Sequence, residues 1–229
     1  MLTEKNRTGS NCVIYPGVKL GKNVRISDFC VIGIPPEGKE KDRAGVTVIG
    51  DNAIIRPFTS IYAGVKVGSS FRTGHGAFIR EGNRIGNNVS VGTNTSLQPG
   101  NTIGDNTRIH AGCFLERVRV GNGVFIGPCT VFTDDLHPPC PEYERCMPRI
   151  RVRDGAKIGA NVTILPGIVI GKNALVGAGS VVTKNIRDGI VAAGCPAADR
   201  GPVRSLKCRK GFFRTPYDWE KAAKRRGCK

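Results

Sequence analysis

Only three histidines occur in the 229 residues, and two of them lie near groups that could direct their proton. His137 closes the run Thr133-Asp134-Asp135-Leu136-His137 and is followed by Pro138 and Pro139. His75 stands in Thr73-Gly74-His75-Gly76-Ala77, shortly before Arg80 and Glu81. His110 follows the apolar Ile109. Imidazole titrates near neutrality, so each is a candidate general base, and a carboxylate on the second ring nitrogen would hold its tautomer. Asp134 or Asp135 is placed in sequence to serve His137, and an Arg80–Glu81–His75 cluster is conceivable. Cys140 and Cys146 share the stretch with His137, but two loosely spaced thiols without a CxxC pair are a weak zinc or redox signal.

These side chains ride on a repeat of six. Ile49, Ile55, Ile61, Val67, Thr73, Ile79, Ile85, Val91, Leu97, Ile103, Ile109 and Leu115 recur at every sixth position, and all but Thr73 are aliphatic. A helical period of 3.6 drifts out of this phase within two turns, and a plain half-buried strand would alternate by two. Gly often follows the leading residue (Gly50, Gly68, Gly74, Gly86, Gly92, Gly104), and a small or aliphatic side chain sits four residues after it. Each hexad is therefore a short strand with two inward side chains and a tight corner, the signature of a parallel β-helix.

The phase starts at Ile14 and runs through Leu20, Ile26 and Ile32, with Cys12 and Cys30 at the inward fourth position. It resumes after Leu115 one residue early, at Val120, continues to Phe132, and returns from Val152 to Val182. Residues 33–45 and 133–151 break it as two surface excursions. At three hexads per coil this predicts about eight coils, a prism roughly 40 Å tall at one strand spacing per coil. We read residues 1–198 as one all-β solenoid and 199–229 as a basic tail, with a short helix over Tyr217–Arg226 as a candidate cap.

The formal net charge is +17 and the pI about 9.9, which suits nucleic acid, an acidic membrane surface or a phosphorylated small molecule. Nucleic acid is disfavoured, because no binding module and no basic face with interleaved aromatics is legible. The first eleven residues are polar, and no apolar run approaches the ~18 residues that a membrane span needs. Nine cysteines without an export signal point to a reducing, cytoplasmic setting.

The hexads read Leu/Ile/Val, then Gly/Ala/Glu/Asp, two free positions, Ser/Thr/Ala/Val and one free position over nearly all of residues 8–186. This resembles the bacterial transferase hexapeptide repeat. The resemblance implies a left-handed parallel β-helix, a homotrimer, and acyl-CoA or acyl-carrier-protein sites between subunits. A narrower resemblance covers 124–196 through FIGPCTVFTDDLHPP, KIGANVTILPGIVIGKNALVGAGSVVTKNI and VAAGCPA. It is similar to the maltose/galactoside O-acetyltransferases and to N-acetyltransferases acting on nucleotide-linked amino sugars. That implies a CoA-dependent acyltransferase with acetyl-CoA as cosubstrate and a sugar or nucleotide-sugar as acceptor.

The His-Pro ending of the first motif implies His137 as base, with His110 and His75 as competing coil histidines. Asp134, Asp135 and Glu81 are the candidate substrate contacts. By the same resemblance Ala160, Ala178, Thr183 and Lys184 line the cofactor. The family's usual Asn-Pro-Ala-Arg ending is replaced by Cys195-Pro196-Ala197-Ala198-Asp199-Arg200, which moves its phosphate-binding arginine to Arg200 or Arg204. The choice between O- and N-acetylation stays open. No metal set is assigned. A γ-class carbonic anhydrase is the metalloenzyme alternative, with His75 and His110 at a suitable spacing but Leu115 where a third histidine should stand. A non-catalytic scaffold trimer is the other.

Overall fold

The computed structural model describes residues 5–38, 45–146 and 148–217. Nearly every hexad in it is one strand of two or three residues and one corner. The strands stack into three sheets of 11, 9 and 8, which we call faces A, B and C in the order the chain visits them. Every strand pairing is parallel until the end, where Ile190–Gly194 turns back and pairs antiparallel with Ala197–Pro202. The sequence boundary at residue 198 falls inside that last strand.

The solenoid makes about ten turns, not about eight. The extra strands escaped the count for physical reasons. Arg7–Thr8 pairs with Arg25–Ile26, yet leads with a polar residue. Ile186, bridged to Ile170, comes only four residues after Val182, and Ala192 six after that.

In the regular two-residue strands the second residue points in and the first points out, as the period of two within a strand requires. The inward column from Ile32 to Val182 is buried, Phe132 included. Thr73 fits there because its hydroxyl accepts the Arg56 N–H at 2.9 Å and lies 3.0 Å from the Thr59 hydroxyl, so its own polar group has partners. Ile14 is 38% exposed and Cys12 half-buried, unlike the fully buried Cys30, because the first coil has no partner on one side among the described residues.

Glycines occur at all three edges, and those at one edge meet a ladder of carboxylates and amides. Where face C turns into face A, each coil reaches to the next through an Asp or Asn: Asp105 Oδ1 accepts the Asn87 N–H at 2.7 Å, and Asn122 Oδ1 accepts the Asp105 N–H at 2.8 Å. A Cβ on Gly86 would collide with the same Asp105 carboxylate and with the backbone behind it. Gly86→Ala is therefore expected to cost about 2 kcal/mol or more, seen as a lowered denaturation midpoint.

Both excursions leave the prism at one edge, between face B and face C: one between Ile34 and Thr47, the other between Phe132 and Arg151. The second carries one helical turn, Tyr143–Cys146. The candidate helix at Tyr217–Arg226 lies outside the described residues apart from Tyr217.

Candidate functional site

The candidate residues fall on two of the three edges. The A–B edge carries His75 and His110, and lower down Ala160 and Ala178. Arg200 joins its lower end, with Nη2 3.5 Å from where a Cβ on Gly194 would stand. The B–C edge carries Glu81, Asp134, Asp135, His137, Thr183 and Lys184. Of the candidates only Arg204, the alternative to Arg200, lies by the C–A edge, where the Asp/Asn ladder runs. Face B, between the two occupied edges, has an outward row without charge: Val13, Val31, Ser60, Phe78, Ser96, Phe114, Val131, Thr163 and Val181.

The three histidines differ in how they are held. His110 is fixed by its main chain, which donates to Ile126 O at 2.9 Å and accepts the Thr95 hydroxyl at 2.7 Å, and its ring lies 4.8 Å from that of Phe125. His75 is an exposed corner residue between two glycines, its carbonyl accepting the Asn94 N–H at 2.9 Å. His137 is exposed on the excursion.

Two expected partnerships are not made. Asp135 does not face the His137 ring: its two carboxylate oxygens accept the backbone N–H groups of His137 at 2.9 Å and Cys140 at 2.8 Å. A short aspartate close to a turn prefers main-chain donors, so it shapes the loop that presents the histidine. The Arg80–Glu81–His75 cluster is likewise absent, because Glu81 and His75 project from different edges. Glu81 instead takes two bonds from Arg80, at 3.0 and 3.1 Å, while that guanidinium sits 5.4 Å over the Tyr62 ring.

Asp134 lines a small cleft with Glu116, Arg117 and Arg149, and Arg149 is anchored by a 3.1 Å bond to Gly100 O. Sequence reasoning missed both arginines. The signal was the step shortened by one residue after Leu115, which leaves Arg117 at φ 51° where most other corners place Gly or Asn. At the cofactor positions, Ala160 O accepts the Gly179 N–H at 2.8 Å, and Thr183 and Lys184 are exposed.

Among the described residues no group of three His, Cys, Asp or Glu side chains could hold a metal. Leu115, at the position a third histidine would need, is fully buried. The thiols split by environment. Burial pushes Cys30 and Cys113 up, and desolvation followed by the neighbouring Cys140 pushes Cys146 up. Cys208 is held below the ordinary thiol range, first by the Phe213 backbone N–H. A lower pKa means more thiolate at neutral pH, so iodoacetamide is expected to alkylate Cys208 ahead of Cys30 and Cys113, as peptide mass mapping over time would show.

Two repeat families match the chain. The model described as bacterial transferase hexapeptide (six repeats) covers residues 84–117 and 149–184, and hexapeptide repeat of succinyl-transferase covers 8–27. Residues 84–117 and 149–184 therefore carry bacterial transferase hexapeptide repeats. The chain is 38% identical over 61 residues to acyl-(acyl-carrier-protein)–UDP-N-acetylglucosamine O-acyltransferase of Rickettsia typhi. The match covers 23% of this chain and 22% of that one, so it spans about a fifth of the curated relative's length. The solved UDP-N-acetylglucosamine acyltransferase from Campylobacter jejuni superposes with a TM-score of 0.58 at 17% identity, over 86% of this chain and 75% of that one. The enzyme of that name from Francisella novicida superposes at 0.57 and 16%, over 95% and 72%. These structural likenesses show a shared fold.

Proposed function

We propose that this protein is an acyltransferase that moves an acyl group, with acetyl-CoA as donor, to a hydroxyl or amino group of a sugar or nucleotide-sugar. The observation that carries the reading is that the candidate residues other than Arg204 fall on the two edges bordering the uncharged face B. If three prisms associate about a threefold axis with face B turned toward the neighbours, the A–B edge of one protomer meets the B–C edge of the next. Ala160, Ala178 and Arg200 then oppose His137, Thr183 and Lys184 across one cleft, which no single chain assembles. The hexapeptide repeats and the partial match to an O-acyltransferase support the reaction class.

His137 takes the acceptor proton as the oxygen or nitrogen attacks the thioester carbonyl, and corner N–H groups stabilise the oxyanion of the tetrahedral intermediate. The carbon–sulfur bond then breaks, and the imidazolium returns its proton to the departing thiolate. Small side chains at Ala160 and Ala178 leave room for the donor's extended arm. Lys184 and Arg200 supply positive charge for its phosphates.

Thermal-shift titrations with acetyl-CoA and with an acyl carrier protein, each alone and with nucleotide-sugars, test the assignment by mass action. Stabilisation by acetyl-CoA that increases with one nucleotide-sugar is the expected result. Stabilisation by the acylated carrier protein alone would reassign the donor, and none by either would sink the enzymatic reading. Light scattering is expected to give the mass of three 24.5 kDa chains; a stable monomer at micromolar concentration would remove the shared cleft.

A further inference from the structure

The outward rows of the other two faces are strongly cationic. Face A carries Arg7, Arg25, Arg72, Arg108 and Lys157, and face C carries Lys19, Lys66, Arg84, Arg119 and Arg151, with no acid in either row. Among the described residues Arg7, Arg25, Arg72, Arg108, Lys19, Lys66, Arg84, Arg119 and Arg151 form no ion pair with a carboxylate. Several are stacked one strand apart, Arg7 on Arg25, Lys66 on Arg84 and Arg119 on Arg151. Like charges in register repel and weaken the sheet, so a surface of this kind gains from an opposing anionic one.

The segment after the final hairpin decides which anion. Phe212 is 79% exposed and Phe213 38%, and they stand among Lys207, Arg209, Lys210 and Arg214. Two adjacent large apolar side chains left that open are the informative kind of exposure, and here cations flank them in the sequence. The segment is tied to the lower end of face A: Val203 N–H donates to Gly189 O at 2.7 Å, and the Lys157 ammonium lies 4.6 Å over the Tyr217 ring. Apolar insertion beside a polybasic patch is the chemistry of a bilayer interface. A duplex nucleic acid would need the cations alone, and no row of stacking aromatics is present on face A for single strands.

We propose that face A and residues 207–214 together lie on an anionic lipid bilayer, with Phe212 and Phe213 inserted at the level of the headgroups. The proposal stands apart from the acyl-transfer reading. It is compatible with the assembly above, which turns face B inward. Face C cannot reach the same plane and adds to the field that draws the protein toward it. None of the described helices is long and apolar enough to cross a membrane, so the contact is peripheral.

The test is co-sedimentation of the full chain with phosphatidylcholine vesicles, with and without phosphatidylserine. The expected result is pelleting only with the anionic lipid, lost as salt is raised. F212S/F213S and, separately, R72E/R108E should each weaken it by roughly tenfold or more, with unchanged circular dichroism because all four side chains are on the surface. Equal binding to neutral vesicles would overturn the proposal, as would unchanged binding in both variants. Failure to pellet with the anionic lipid while duplex DNA is bound would overturn it in favour of a nucleic-acid partner.

Discussion

Replacing His137 by alanine is expected to lower kcat by about 10²–10⁴ while leaving acetyl-CoA affinity nearly unchanged. A sugar hydroxyl is a poor nucleophile, so removal of its proton during attack carries much of the barrier. The base limb of the rate–pH profile should vanish in the variant. The loop itself should survive, because Asp135 binds the main chain at residue 137 and not the ring. An amine acceptor gives a different signature. Once deprotonated in solution it attacks unaided, so the defect should be modest and fade as pH approaches the amine's own pKa. His75→Ala and His110→Ala, measured in parallel, are the controls. Abolished turnover in His110→Ala with activity kept in His137→Ala would move the base to the A–B edge, where the ring already packs on Phe125.

The double variant Lys184→Ala/Arg200→Ala should raise the KM for acetyl-CoA by about 10²-fold with a smaller change in kcat. Each charged hydrogen bond to phosphate, partly open to water, contributes ~1–2 kcal/mol, and a loss shared by ground and transition states appears in KM. The two residues project from different edges of one prism. If the cleft forms between protomers, mixing the two single variants should restore some sites with both cations intact. Full additivity in a chain shown to be monomeric would contradict the shared cleft. Unchanged affinity in the double variant would send the search for phosphate contacts to Arg204, which lines a separate cavity of about 550 Å³ on the C–A edge.

The fold was legible because its signal is collective. Ile49 to Leu115 hold one phase for twelve hexads, and no local exception such as Thr73 disturbs it. The number of turns was misjudged only where that signal thins, at Thr8 and at the shortened step to Ile186. Which residues share an edge also follows from the period, although this needs the face of each hexad to be tracked across both excursions. Side-chain partnerships were another matter. Asp135 and His137 are neighbours in sequence, yet the carboxylate found two backbone donors within reach, and no pattern of residue types distinguishes those outcomes. Glu81 was taken by the arginine beside it. Interactions decided by a few ångströms of loop path are not written in spacing.

The ladder along the C–A edge also makes length a separable property of this molecule. Bonds such as Ser69 N–H to Asn87, Asn87 N–H to Asp105 and Asn88 to Asn106 join residues 18 apart, one full coil, and reach no further. Removing a block of 18 residues between Val67 and Leu115 would therefore return every remaining side chain to its own edge and join like coils to like. Removing six would rotate the following chain onto the wrong faces, bringing cations into the uncharged row. The prism is in this sense a ruler graduated in steps of ~4.8 Å. The distance between its two loop excursions can be reset by whole coils without redesigning either one.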